Sequence, residues 1–495
     1  MATDDFFRAR LDGMVDPRHP LVVLATRLPW TAIEASLAPL LARKPSSRTE
    51  VADQDLFGPT LVLAGAQPSN AGRPRLPTRL MVALLYLKHS FNLSDEELCE
   101  RWSENVVWQF FSGMTYYEPR WPCDPTHIGR FRRLLGEAGV EQLLKTTIEA
   151  AVALKAVRKD EFERVIVDST VQEKAIAHPT DSRLLEVARA KLVRVARSLG
   201  LKLKQTHERE GKTLRRRAGG YAHAKQFRRL KRVLRRQRTI LGCVLRELRR
   251  KMAGLDQTAQ ERLDPWLERA ERIHTQRPQD KNKLYALHAP EVECIGKGKA
   301  RKPYEFGVKT SLAVTHRSGL MVGARSFPGN PYDGHTLAAQ IEQTHALTQD
   351  LNVQVKTVVV DLGYRGVDAE LPGIELLHRG KTKSLTPKQR GWLKRRQAIE
   401  PAIGHLKQDH GLQRCWLKGS EGDALHAVLC AAGYNLRWLL RAIAQMGLRA
   451  VFFALLARSV HRASALWAAL RAAGGLPTQK PQWNAPAQAL AAALG

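Results

Sequence analysis

Acidic residues are in short supply. Lys and Arg number 79 against 48 Asp and Glu, a formal net charge of +31. Such an excess fits a polyanionic partner, either nucleic acid or an anionic membrane surface. Long apolar runs are also missing. The most apolar stretch, Ala450 to Ala457, is too short to span a bilayer, and Arg437, Arg441 and Arg449 interrupt the region around it. No membrane association is therefore expected, and nucleic acid remains as the partner. The first residues, Met1-Ala2-Thr3-Asp4-Asp5, are acidic and carry no apolar segment. No signal peptide is expected, and the expected location is cytoplasmic, with the nucleoid. The six cysteines (Cys99, Cys123, Cys243, Cys294, Cys415, Cys430) form no CxxC pair. They read as reduced thiols of a cytosolic chain, and no zinc site is visible in the sequence.

What is present is enough for a folded protein of several parts. Hydrophobic residues make up 44% of 495, and steps of roughly 150 residues suggest two to four units. Residues 1–157 read as helical. Pro20 to Leu41 has helical spacing broken at Pro29, and Pro45 to Pro77 reads as loop. Ser94-Asp95-Glu96-Glu97 is a capping box opening a helix with Leu98, Trp102, Val106 and Phe110 on one face. Asp124-Pro125 starts another helix that carries Arg130, Arg132 and Arg133. This region is either a helix-turn-helix DNA reader or a scaffold that docks on the remainder of the chain. Residues 182–289 are almost free of strand signals and strongly basic. Leu230, Leu234, Leu241, Leu245 and Leu248 form an apolar stripe, so two or three long helices are expected, turning near Gly219-Gly220. The cations Arg228, Arg229, Lys231 and Arg232 are one-sided in charge, which suits an arm along DNA phosphates better than a solvated hairpin. Residues 419–495 read as helical to about Gly474, followed by a loose tail.

Between these lie segments 158–181 and 290–418, where strand patterns appear. Arg164-Val165-Ile166-Val167 is a buried strand ending at Asp168, and Lys356-Thr357-Val358-Val359-Val360 a second ending at Asp361. Glu305 to Val314 and Leu320 to Ser326 form a hairpin through His316-Arg317-Ser318-Gly319. Asp333 is expected to cap the next helix, Thr336 to Gln349. Gly363 and Gly366 allow sharp turning beside a ligand. Glu375 to His378 is a last strand. Thr386-Pro387 opens the helix carrying Glu400, with Arg396 four residues before and Lys407 seven after. Pro401 predicts a kink or restart directly after Glu400. With the basic insertion removed, the order of strands and helices is ribonuclease-H-like, so the expected class is α/β: such a catalytic core, a helical N-terminal domain, the insertion and a helical C-terminal region. Acids at two strand ends are placed where ligands bind in open sheets. Three acids, Asp168, Asp361 and Glu400, suit two Mg²⁺ ions roughly 4 Å apart, with Mn²⁺ as a substitute.

These residues resemble the DDE transposases of bacterial insertion sequences, in the group whose catalytic helix carries a Tyr-Arg-Glu-Lys signature. Arg396, Glu400 and Lys407 stand at its spacing, with Leu393 in the place of Tyr. Val167-Asp168-Ser169-Thr170 and Asp361-Leu362-Gly363-Tyr364-Arg365-Gly366 resemble the two Asp motifs. Leu93 to Phe111, with Phe131-Arg132, resembles the family's helical domain. The resemblance implies that Asp168, Asp361 and Glu400 are catalytic metal ligands and that Arg396 and Lys407 contact transposon-end DNA. It implies hydrolysis at terminal inverted repeats, then strand transfer into double-stranded target DNA, by a homodimer on DNA. A metal-dependent nuclease of the same fold and a non-catalytic DNA-binding relative are the alternatives.

Overall fold

The computed structural model describes residues 10–42, 75–296, 302–365 and 372–472, except the side chains of Thr382, Lys383 and 449–472. Most of the loop expected from Pro45 to Pro77, Gly366 and the C-terminal tail lie outside the described residues. The N-terminal part is helical: α1 Pro20–Arg27, α2 Trp30–Leu41, α3 Thr78–Phe91, α4 Asp95–Glu104, α5 Val106–Phe111 and α6 Pro125–Ala153. Both expected caps form. Ser94 Oγ accepts from Glu97 N and Glu97 Oε2 from Ser94 N, each at 3.0 Å, and Asp124 Oδ1 accepts from Thr126 N. The single helix expected from Leu98 to Phe110 is two, because the Asn105 side chain caps Trp108 N and starts α5.

Strand β1, Arg164–Glu173, leads into four helices of the insertion: α7 Asp181–Ser198, α8 Glu208–His223, α9 Phe227–Met252 and α10 Gln257–Thr275. They bury their own apolar cluster, including Leu192, Leu241, Leu245, Leu248, Leu263 and Leu267. The turn between α8 and α9 is at Ala224–Gln226, with Lys225 at φ 55°, and not at Gly219-Gly220, which stay inside α8. The remaining strands are β2 Glu293–Gly296, β3 Tyr304–Thr315, β4 Met321–Phe327, β5 Thr357–Val359 and β6 Glu375–Leu377, with α11 Leu337–Thr348 between β4 and β5. After β6 come α12 Pro387–Lys394, α13 Ile399–Gln408 and α14 Gly419–Ala472.

The sheet runs β4-β3-β1-β5-β6, with β2 on the other stretch of the β3 edge that β4 occupies. β1, β3 and β4 are antiparallel neighbours, while β5 and β6 run parallel to β1. Val165, Ile166, Val167, Leu312 and Val358 to Val360 are buried, as expected of strands covered on both faces. One apolar core joins the N-terminal helices, this sheet and the first half of α14. Among the described residues no single helix is long and apolar enough to cross a membrane. α1 and α2 meet that test only as a pair, bent by 63°.

Candidate active site

The sheet register brings the first two acids together. β1 pairs with β5 only at Arg164↔Thr357, Val165↔Val358 and Ile166↔Val359. Asp168 lies two residues past its last rung and Asp361 two past the matching one. Residues two apart in a strand share a face. The parallel register therefore carries both carboxylates to one face, about one strand spacing (~4.8 Å) apart at the backbone. Asp168 is not at a strand end, since β1 continues to Glu173 against β3. What ends there is the parallel neighbour, and this edge of β1 is next paired at Glu173, whose O accepts from Cys415 N at 2.7 Å.

Burial and charge mark the site. Asp168 Oδ1 accepts from Ser169 N at 2.8 Å, and Asp361 Oδ1 from Gly363 N at 2.8 Å. Burial pushes the Asp168 carboxyl up to about 6, and the charge of Asp361 adds to the rise. The Ser169 N–H and the Arg396 guanidinium oppose it. Tyr364 is buried beside the same acids, and burial together with Asp333, Asp168 and Asp361 holds its phenol well above the usual range.

A fourth acid joins them. Asp333 does not cap α11, whose first turn has no side-chain cap. It sits in a 3-10 turn, Asp333–Thr336, and its Oδ1 accepts from Ser169 Oγ at 2.8 Å and pairs with Lys309 Nζ at 2.9 Å. A Cβ added at Gly363 would lie 3.0 Å from Asp361 Oδ1 and 3.2 Å from Asp333 Oδ2, so the two acids flank this glycine. The reversal that brings Asp333 here uses left-handed backbone at Gly329 (φ 80°) and Asn330 (φ 47°). That Gly-Asn-Pro turn directly after a strand is the signal in the sequence, since it aims the next residues back at the sheet.

Glu400 enters from a different direction. The Thr386–Gln389 capping box starts α12, a 3-10 turn at Arg395–Ala398 ends it, and Glu400 lies in the first turn of α13. The break precedes Glu400 instead of coming after it. Pro401 then stands in a first turn, where a missing N–H costs no helical hydrogen bond. Arg395 Nε donates to His316 O at 2.7 Å and ties the break to the β3–β4 hairpin. Ile399, Ala402 and Leu406 face the core, which leaves the Glu400 side chain 62% exposed. Arg396 spans the gap: Nη1 reaches Asp168 Oδ2 at 3.2 Å and Nη2 reaches Glu400 Oε1 at 3.5 Å. Lys407 lies near the far end of α13, its Nζ 3.9 Å from Glu305 Oε2. It lines a cavity of about 880 Å³ with Lys174, Arg132, Arg414 and the exposed Trp416. Arg228, Arg229, Lys231 and Arg232 are all exposed along α9, and Arg229 also lies over the Tyr221 ring.

Residues 55–134 match the family described as Transposase domain (DUF772), and residues 270–436 match the Transposase DDE domain. Asp361, Glu400, Arg396 and Lys407 lie inside the second match, and Asp168 lies outside both. The chain is similar to an uncharacterized protein, ORF8 in the nfe locus of Rhizobium meliloti. The two are 42% identical over 224 residues, which is 45% of this chain and 95% of that protein. No solved structure matches significantly.

Proposed function

The chain belongs to the DDE transposases of bacterial insertion sequences, and from that premise we propose that it cuts and joins DNA at the element's ends. The observation that carries this reading is the meeting of Asp168 and Asp361 in parallel register, with Asp333 beside them. The order β4-β3-β1-β5-β6 supports a ribonuclease-H-like core.

The chemistry of the donors fits a divalent metal, and among the described residues these acids are not gathered within 4.8 Å of one another. Asp168, Asp361 and Glu400 would hold the ion, and carboxylate oxygens are the donors that Mg²⁺ and Mn²⁺ prefer. The raised titration of Asp168 reflects burial first and the charge of Asp361 second, and a divalent cation would offset both. When bound, two such ions supply Lewis-acid charge at the attacking and leaving oxygens of a phosphodiester. The chain's own groups do the rest. Asp333 fixes Ser169 next to Asp168 and is itself held by Lys309. Arg396 balances Asp168 and Glu400, and its planar fork suits phosphate oxygens at the same place. Lys407 and the α9 cations contact end and flanking DNA further out. Paired inverted ends call for two protomers on the DNA.

A strand-transfer assay with pre-cut 3′ ends, a target duplex and Mg²⁺ tests the reading. Joined product that Asp168→Asn and Asp361→Asn fail to form is expected. Hydrolysis without joined product would favour a nuclease of the same fold. DNA binding without either product would favour a non-catalytic relative.

A further inference from the structure

Away from the acidic site, three residues far apart in sequence meet inside the protein. His89 stands near the end of α3, and His426 and Cys430 lie one turn apart on α14. All three are buried, and their ligand-capable atoms lie within 4.8 Å of one another. Cys430 Sγ is 3.8 Å from His89 Nδ1 and 3.6 Å from His426 Nε2. A tetrahedral zinc ion, with bonds of about 2.3 Å to sulfur and 2.0–2.1 Å to nitrogen, holds such a pair about 3.5 Å apart. The pocket is thus close to zinc size as it stands.

We propose that His89, His426 and Cys430 form a zinc-type site that staples α3 to α14. A second observation points the same way. The His89 ring is 4% exposed, and among the described residues its Nδ1 meets only the Cys430 thiol, 3.8 Å away. A buried imidazole without a full hydrogen bond is costly unless something else engages it. The helices are also pressed together at this point. A Cβ at Gly433 would overlap the His89 backbone, and Ser90 Oγ donates to Gly433 O at 3.2 Å. The fourth position would open on the 880 Å³ cavity, whose wall includes His89, His426 and Gly411, so water can complete the shell.

Binding exchanges partners in a balanced way. The Cys430 S–H gives its proton to solvent and a zinc–thiolate bond forms. His426 shifts its ring proton from Nε2 to Nδ1, which frees Nε2 to ligate, and gives up the 3.0 Å hydrogen bond it donates to Gly411 O, a carbonyl that cavity water can then serve. The donor set is soft and contains no carboxylate, so it selects against Mg²⁺ and is chemically distinct from the acidic site.

The test uses the full chain, stripped with a chelator and titrated with Co(II). A single ion per chain with tetrahedral bands and a thiolate-to-cobalt charge-transfer band is expected. Zn²⁺ should displace it, excess Mg²⁺ should not, and Asp168→Asn should leave it unchanged. Cys430→Ser should abolish the charge-transfer band, and Zn²⁺ should raise Tm for the parent but not for this variant. If circular dichroism finds Cys430→Ser misfolded, His426→Asn takes its place, with cobalt affinity expected to fall at least about tenfold. Absence of the band in the parent, its persistence in Cys430→Ser, unchanged affinity in His426→Asn, or displacement by Mg²⁺ would overturn the proposal.

Discussion

The acids on the sheet and the cations on α9 carry their charge under opposite conditions. Asp168, Asp333 and Asp361 are half-buried, joined by backbone register and by side chains at about 3 Å. Arg228, Arg229, Lys231 and Arg232 stand in solvent along a helix of 26 residues, about 39 Å long. Charge in the first setting acts at short range, depends on geometry and is little screened by salt. Charge in the second acts at a distance, tolerates rearrangement and is screened strongly. The two regions should therefore fail separately, one in chemistry and the other in salt-dependent binding.

The largest effect that would break this comparison comes from the acids. Asp168→Asn or Asp361→Asn should lower the rate of end cleavage by at least about 100-fold, since losing even outer partners of a metal costs roughly 10–100-fold. Filter binding should find the DNA affinity and its salt slope unchanged. A slope that changes would mean that the acids also govern phosphate binding. Next in size is the basic face. Replacing Arg228, Arg229, Lys231 and Arg232 with Gln should reduce the slope of log K against log salt by up to about 3.6, near 0.9 for each phosphate no longer neutralised. Single-turnover cleavage at saturating DNA should be unaffected, and an unchanged slope would remove α9 from the DNA interface.

Two stability measurements sharpen the contrast. Asp168 ionises near 3.8 when unfolded and near 6 when folded, so the folded state holds an extra proton between these values. Its contribution to stability is complete below about 4 and is lost as pH rises through 6. Asp168→Asn should therefore raise stability at pH 7.5 without metal, by at most about 3 kcal/mol, and give no gain at pH 4. Urea unfolding at the two pH values is the check. Arg396→Ala should lower stability at pH 7.5 by about 1–2 kcal/mol by leaving a half-buried carboxylate without its partner. That deficit should shrink at pH 5, where Asp168 is mostly protonated.

The strands that lead to Asp168 and Asp361 are legible in the sequence because buried strands of Val and Ile read as short apolar runs. Ser94, Asp124 and Thr386 are legible as caps because capping is local. Asp333 misleads for the same reason. As a local feature it looks like a cap, and only the fold sets Ser169 and Lys309, 164 and 24 residues away, around it. The break near Glu400 is displaced in a sequence reading because Pro401 is conspicuous, whereas the 3-10 turn at Arg395–Ala398 is anchored to His316 across the hairpin.

The sequence by itself determined the basic character of the chain, the alternation of strands and helices, and the spacing of Arg396, Glu400 and Lys407. These depend on composition and on neighbours within a turn or two. Tertiary structure alone decided that Asp333 stands with Asp168 and Asp361, that Arg396 faces acids on both sides, and that His89 meets Cys430 across 341 residues. Such meetings depend on strand register and on how closely two helices approach. Neither leaves a local mark in the chain, because packing joins residues without regard to their distance in sequence.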